Sequence, residues 1–534
     1  RPIRWLVAMY GRDTIPLEIA GVQSGNVSRG HRFLGGDVEI ESPLDYRETL
    51  RKEYVVADIE ERRQMIVEQL KNLEREKGWK LHIPEDLLEE VLFLVEYPTA
   101  LFGSFDPDFL NIPQEVLMTS MREHQRYFPV LNEDGKLLPY FVTVRNGDAK
   151  SLDNVVKGNE KVLRARLSDA RFFYEEDLKL SIPEALERLE TIVFHEELGT
   201  LAQKVRRMEK IASDMANALG LDEDSKKQAA RAVQICKFDL VTQMVYEFPE
   251  LQGVMGEEYA RRAGEDPRVA RAIFEHYQPR FSGDEVPRSL IGAVVSMADK
   301  IDTIAGCFSI GIVPTGSQDP YALRRQAAGI VQILWEHDLP LKLSDLFDSA
   351  LKVLKEQKLL KRSEDQIRQD LIEFFALRVR NLLSEFARHD VVDAVMGGGF
   401  DRVPSAVRRG QALMKAILRP EEMKGVVESF NRVSNLAVKA PGSTFDPGIL
   451  TEKEEKDLYQ TWEAAHQDYL KLLDSGREDE ALSLLGQLKE PITRFFDKVM
   501  VMVDDENLRL SRLGLLKAIS DDLKKFADFQ KIVW

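Results

Sequence analysis

Three residues in this chain have the types and the order of a metal-hydrolase ligand set. His195 stands in Phe194-His195-Glu196-Glu197-Leu198-Gly199, Asp239 in Cys236-Lys237-Phe238-Asp239-Leu240, and Asp299 in Met297-Ala298-Asp299-Lys300-Ile301-Asp302. An imidazole and two carboxylates could hold a divalent cation, and such a cation activates water for attack on a phosphate ester. The residue before Asp239 breaks the set. A histidine there would add a ligand, but the chain carries Phe238, whose ring has no lone pair to give a metal. Glu196, Glu197 or His276 could stand in, although no spacing requires them. The plainer reading is a helical domain that holds these groups in hydrogen bonds, ion pairs and caps. No catalytic residue and no metal are therefore expected on this chain.

Such a set needs a helical scaffold, and the chain has room for one. At 534 residues it is too long for a single core, and three or four domains are expected. Hydrophobic residues make up 44% and charged residues 31%, a globular balance. No apolar run nears the roughly 20 residues that span a bilayer, so no membrane association is expected. The opening Arg1-Pro2-Ile3-Arg4-Trp5-Leu6-Val7 has too short an apolar stretch for a signal peptide. It lacks an initiator Met and reads as a strand, so the natural chain is expected to begin upstream. Two cysteines, Cys236 and Cys307, argue against a disulfide scaffold and for a cytoplasmic location. The net charge of −16 disfavours indiscriminate nucleic-acid binding, but local basic patches, not the total, decide RNA binding.

Residues 1–150 mix both element types, and an α+β domain is expected there. Residues 4–10 and 15–19 read as a hairpin, 58–77 as an exposed helix and 137–144 as a strand. From 151 to 340 helical patterns dominate, at 159–180, 182–219, 224–246, 269–277, 288–308 and 321–337. His195, Asp239 and Asp299 all fall in this helix-like sequence. Residues 341–440 continue as a helical linker, and 441–534 form a last helical bundle. A segment rich in Pro and Gly at 439–448 separates the two. The fold class is multidomain and mainly α.

Other motifs offer phosphate chemistry. Asp319 and Pro320 should cap and start a helix, and Thr315-Gly316-Ser317 beside it, with Arg324 and Arg325, could receive an RNA phosphate. A capped turn accounts for the same residues. Met396-Gly397-Gly398-Gly399-Phe400-Asp401-Arg402 mimics a phosphate loop but lacks the Lys-Ser/Thr of one, and reads as a flexible loop. Basic residues cluster at 402–419, at Lys161, Arg164, Arg166 and Arg171 beside Phe172-Phe173-Tyr174, and at Arg494, Lys498, Arg509 and Arg512 beside Phe495-Phe496. Cations for phosphates and rings for splayed bases are how single-stranded RNA is recognised. A solvated helix face over core aromatics gives the same pattern.

The order His195, Phe238-Asp239, Asp299 resembles the HD-type phosphohydrolases, which bind metal through His, His-Asp and Asp; Phe238 is the departure. A wider resemblance runs from residue 1 to the end. Ser24-Gly25-Asn26-Val27-Ser28-Arg29-Gly30-His31-Arg32-Phe33-Leu34-Gly35, Met121-Arg122-Glu123-His124-Gln125-Arg126-Tyr127-Phe128, Ala165-Arg166-Leu167-Ser168-Asp169-Ala170-Arg171-Phe172 and Asp239-Leu240-Val241-Thr242-Gln243-Met244 are similar to the β subunit of bacterial heterotetrameric glycyl-tRNA synthetase. Pro314 to Arg325 belongs to the same pattern. The resemblance implies an α2β2 enzyme whose α subunit holds the aminoacylation site and binds ATP with Mg2+. It implies no cofactor here, and tRNA(Gly), the α subunit and a second β chain as partners. It also implies a degenerate HD-like domain and a C-terminal DALR-type anticodon-binding domain. Phe430-Asn431-Arg432-Val433-Ser434-Asn435-Leu436, Phe495 to Met502 and Asn507 to Leu513 look like that type. Arg432, Lys439, Arg494, Arg509 and Arg512 are the expected RNA contacts. The rival reading is a divergent HD-type metal phosphohydrolase, and a third is an assembly scaffold that touches only the α subunit.

Overall fold

The computed structural model describes residues 3–534; Arg1 and Pro2 of the opening segment lie outside the described residues. The chain divides into two units. The first comprises the residues up to Ser181 together with Leu240–Met255, and the second Ile182–Asp239 with Gly256–Trp534.

In the first unit the residues at 4–19 do not form one hairpin. Leu6–Val7 pairs parallel with Val22–Gly25, Glu18–Ile19 pairs antiparallel with that same strand, and Met9–Tyr10 pairs with Asp13–Thr14. Turn geometry explains the difference: Ala20 and Gly21 both have positive φ (53° and 76°), which closes a two-residue turn onto Val22. A four-stranded antiparallel sheet follows, in the order Lys80–Leu81, Phe128–Leu131, Leu137–Asn146, Pro98–Ser104. The expected strand at 137–144 is thus one of its two central members. Helix Ile59–Lys77 starts where Asp58 accepts from the Glu60 and Glu61 amides (3.0 and 3.1 Å), and ends at Gly78 with φ 66°. It is not wholly exposed: Ile66 and Leu70 join Leu87, Leu88, Val91, Phe128, Val130 and Val142 in the core.

This unit runs past the expected division at 150, because helix Leu152–Asp177 packs on strand Pro98–Ser104. Gly103 leaves room for it: a Cβ there would lie 2.5 Å from Phe141 and 3.1 Å from Glu160. The Glu160 carboxylate accepts from the Ser104 amide at 2.8 Å. Residues 240–255 return to the unit through Asp177, which accepts from the Gln243 and Met244 amides at 2.8 and 2.9 Å.

The second unit is helical. The pattern at 182–219 is not one helix: Ile182–Leu189 is followed by a small hairpin, Val193–His195 with Gly199–Thr200, and then by Leu201–Ala218. Gly199 at φ 88° turns the chain, and Thr200 with Gln203 forms a capping box that restarts the helix. The pattern at 224–246 likewise breaks after helix Glu223–Ile235, with Phe238–Val241 as a 3-10 turn. Leu290–Ser309 runs through the middle of the unit with eighteen of its twenty residues buried. At the C-terminal end, helix Pro420–Ala437 packs along Glu506–Phe526, so the last bundle begins ahead of the Pro/Gly segment at 439–448. No helix among the described residues is long and apolar enough to cross a membrane.

Candidate functional site

Two of the HD-like positions, Asp239 and Asp299, come together around a lysine, Lys237. Asp299 is on the buried helix, and Lys237 donates to its Oδ2 at 2.8 Å while Lys204 lies 3.0 Å from its Oδ1. Lys237 is 6% exposed, and its ammonium also sits 4.4 Å from the centre of the Tyr277 ring. Burial works against the Asp299 charge, but Lys237 and then Lys204 outweigh it and hold this carboxyl well below the usual carboxylate range. Asp239 is fully buried and its Oδ2 accepts from the Gly256 amide at 3.1 Å. Phe238 is a core residue at 3% exposure.

His195, expected on a helix, lies on the hairpin, where its Nδ1 accepts from the Glu197 amide at 3.1 Å. Glu197 is committed to Lys361 at 2.7 Å. His276 is fully buried and donates from Nδ1 to the Ile273 carbonyl at 2.5 Å. Burial, and then Lys237, hold its pKa well below the ordinary histidine value, so it is neutral. Among the described residues no group of three or more His, Cys, Asp or Glu could hold a metal ion. These residues do not fit a divalent cation: both oxygens of Asp299 already face ammonium groups. A wider buried network continues the theme, with Arg207 bonded to Asp302 at 2.6 and 3.2 Å and Lys204 to Asp302 at 3.0 Å.

The two candidate phosphate loops are occupied by the protein's own groups. Asp319 does not sit next to the helix start; Ala322, with φ 52°, is the N-cap of Leu323–Glu336. The Asp319 carboxylate nevertheless reaches the first amides, accepting from Leu323 at 2.8 Å and Arg324 at 3.0 Å. The donors that a phosphate would use are taken by an anion already present. Arg325 is exposed and Arg324 partly so. Gly398 makes room for the buried Arg409, which donates to the Phe526 carbonyl at 2.5 Å and to the Gly399 carbonyl. A Cβ on Gly398 would lie 2.6 Å from that guanidinium.

The expected RNA contacts divide by exposure. Arg432 is exposed on helix Pro420–Ala437, with its guanidinium 4.6 Å from the Phe496 ring centre and 3.8 Å from Asp497. Lys439 is exposed just beyond that helix. Arg494 and Lys498 stand one turn apart and exposed on Lys489–Lys498, without ion pairs among the described residues. Arg509 bonds the Val503 carbonyl at 2.9 Å and is half-buried. Arg512 corrects the expectation: it is 3% exposed, donates to Glu455 at 2.6 Å and to the Met500 carbonyl at 2.8 Å, and so holds the fold together. These two arginines pin the segment after Lys489–Lys498, and that segment presents Met500 and Met502 outward at 73% and 48% exposure.

Residues 1–397 match the family described as glycyl-tRNA synthetase beta subunit, and residues 426–531 match the DALR anticodon binding domain. Glycine–tRNA ligase beta subunits from Halalkalibacterium halodurans, Shouchella clausii and Bacillus subtilis are 52%, 49% and 48% identical to it. Each alignment covers the whole of this chain and 77% of the relative. The chain belongs to the glycyl-tRNA synthetase beta subunit family. Its C-terminal bundle is a DALR anticodon binding domain, and Arg432, Lys439, Arg494, Lys498, Arg509 and Phe496 all lie inside the matched range. Two features of this glycyl-tRNA synthetase beta subunit family member escaped the sequence reading. Lys237 stands next to Phe238 and carries no local signal of its bond to Asp299, 62 positions away. Met500 and Met502 lie in the apolar run 499–503, and nothing in that run marks these two as its exposed members.

Proposed function

We propose that this chain is the tRNA-holding β chain of an α2β2 glycine–tRNA ligase. A separate α subunit joins glycine to tRNA(Gly), and ATP with Mg2+ and glycine bind there. A second β chain completes the assembly, which works in the cytoplasm. The observation that carries the reading is the DALR bundle with its exposed cations beside a ring: Arg432 over Phe496, and one helix away Arg494 and Lys498, without ion pairs among the described residues. Guanidinium and ammonium groups meet phosphates, and a guanidinium plane or an aromatic face stacks an unpaired base. The two free, buried thiols of Cys236 and Cys307 support a reducing compartment.

The rival metal phosphohydrolase loses its support at Asp299, where Lys237 supplies the positive charge that a metal would bring. Charging assays decide the proposal. The chain mixed with the α subunit should raise glycine transfer to tRNA(Gly) well above α alone, and gel-shift titration should show tRNA bound. If the mixture neither binds tRNA nor raises charging, the proposal fails.

A further inference from the structure

Helix Leu152–Asp177 carries a feature outside the anticodon domain. Its buried positions are Leu163, Leu167, Ala170 and Tyr174, a stripe at helical spacing that faces the first unit's core. Lys157, Lys161, Arg164 and Arg171 follow the same spacing around another side. At 100° per residue they fall within an arc of about 80° and extend about 21 Å along the axis. All four are exposed. None forms an ion pair among the described residues, although the chain pairs most of its partly buried arginines with carboxylates; Arg171 lies 4.8 Å over the Phe109 ring instead. The acids nearest the stripe do not neutralise it. Glu160 is turned inward to the Ser104 amide and hydroxyl, Asp169 lies on a different flank, and Asp153 and Glu175 stand at the two ends.

In a chain of net charge −16, an unneutralised row of four cations on a rigid helix is a local inversion of the field. Burying it against protein would leave charges without partners, and lysine is depleted at the centres of protein–protein interfaces. A polyanion meets every cation of the row with its own repeating charge. We propose that Lys157, Lys161, Arg164 and Arg171 bind the phosphate backbone of tRNA, as a second RNA contact on a different unit from the anticodon domain. The inference rests on the tRNA-binding reading above. The row reads charge and not sequence: it offers point charges and no pocket for a base.

The test uses the full chain assembled with its α subunit. Lys157→Gln, Lys161→Gln and Arg164→Gln are combined, since glutamine keeps helix propensity at exposed positions. Affinity for tRNA(Gly) and for an unrelated tRNA is measured from about 50 to 200 mM salt. Each lost phosphate contact lowers the slope of log K against log salt by about 0.9, so three lower it by about 2.7. Wild type should then lose roughly 40-fold more affinity than the variant across that range. The loss at low salt should be equal for both tRNAs. An unchanged slope with intact assembly overturns the proposal, as does a variant that fails to join the α subunit while its salt slope is unchanged. If wild type itself binds no tRNA, it is the reading of the protein as a tRNA-binding subunit that falls.

Discussion

Replacing Arg512 by Met separates a fold-holding arginine from an RNA-binding one. Arg512 and Glu455 are 3% and 0% exposed and joined at 2.6 Å, so the pair is desolvated on both sides. Met keeps the apolar stem but strands a buried carboxylate, and breaking a buried pair from one side costs about 3–5 kcal/mol. The Met500 carbonyl also loses its donor. With a urea slope of about 2 kcal/mol/M, the unfolding midpoint of the C-terminal bundle should fall by about 2 M. Trp462 is a local reporter: its indole N–H bonds Asp522 at 2.9 Å, on the same helix as Arg512. Replacing Glu455 as well, by Met, removes both charges and should recover most of the loss. It should stop short of wild type by about 1 kcal/mol, because Glu455 also accepts from the Glu452 amide at 2.8 Å and caps its helix. Folded double variant should bind tRNA within about twofold of wild type. A single-variant cost under about 1 kcal/mol, or a double variant less stable than the single, would refute the buried-pair account; a large affinity loss in the folded double variant would return Arg512 to the RNA surface.

Three further outcomes are expected. Phe238→His restores the missing ligand type yet should take up no stoichiometric Mn2+, Fe2+ or Zn2+ in elemental analysis after dialysis, because Lys237 and Lys204 still face Asp299. Phe496→Ala should weaken tRNA binding by about 1–3 kcal/mol, the value of one stacked base, without changing the salt slope; titration at two salt concentrations checks both. Burial pushes the Lys300 ammonium down to about 7, whereas in the unfolded chain it titrates near its ordinary 10.5. The unfolded state therefore binds the extra proton between those values, and stability of the second unit should rise with pH from about 7 to 9, below the range where the raised thiols of Cys236 and Cys307 act in the opposite direction. Denaturant midpoints at several pH values test this, and the rise should vanish in Lys300→Met.

Local signals were legible in the sequence and long-range partners were not. The helix expected at 58–77 and the strand expected at 137–144 follow from a few adjacent residues, and the structure has them as Ile59–Lys77 and Leu137–Asn146. The helix expected at 182–219 failed on Gly199 and Thr200, whose φ and cap can restart a helix inside one continuous apolar period. That Phe238 offers a metal no lone pair can be read from the sequence alone. The positive charge beside Asp299 is that of Lys237, 62 positions away in the chain, and no spacing rule reaches that far. Arg494 and Arg512 look alike in sequence. The helices they ride on turn one outward and the other onto Glu455, so packing alone tells the exposed arginine from the structural one.

The return of residues 240–255 to the first unit has a consequence for anyone who divides this protein. The polypeptide passes between the units at three places, after Ser181, Asp239 and Met255, so neither unit is a continuous stretch of gene. A fragment ending at 181 would leave the Asp177 carboxylate without the Gln243 and Met244 amides that it accepts from. One starting at 182 would carry an orphan insert in its middle. Modules that can be shuffled by a single crossover have one seam, and this one has three. A cut after Asp239 leaves both units incomplete, whereas a cut after Ser181 or Met255 leaves one unit incomplete and the other burdened with a segment that is not its own.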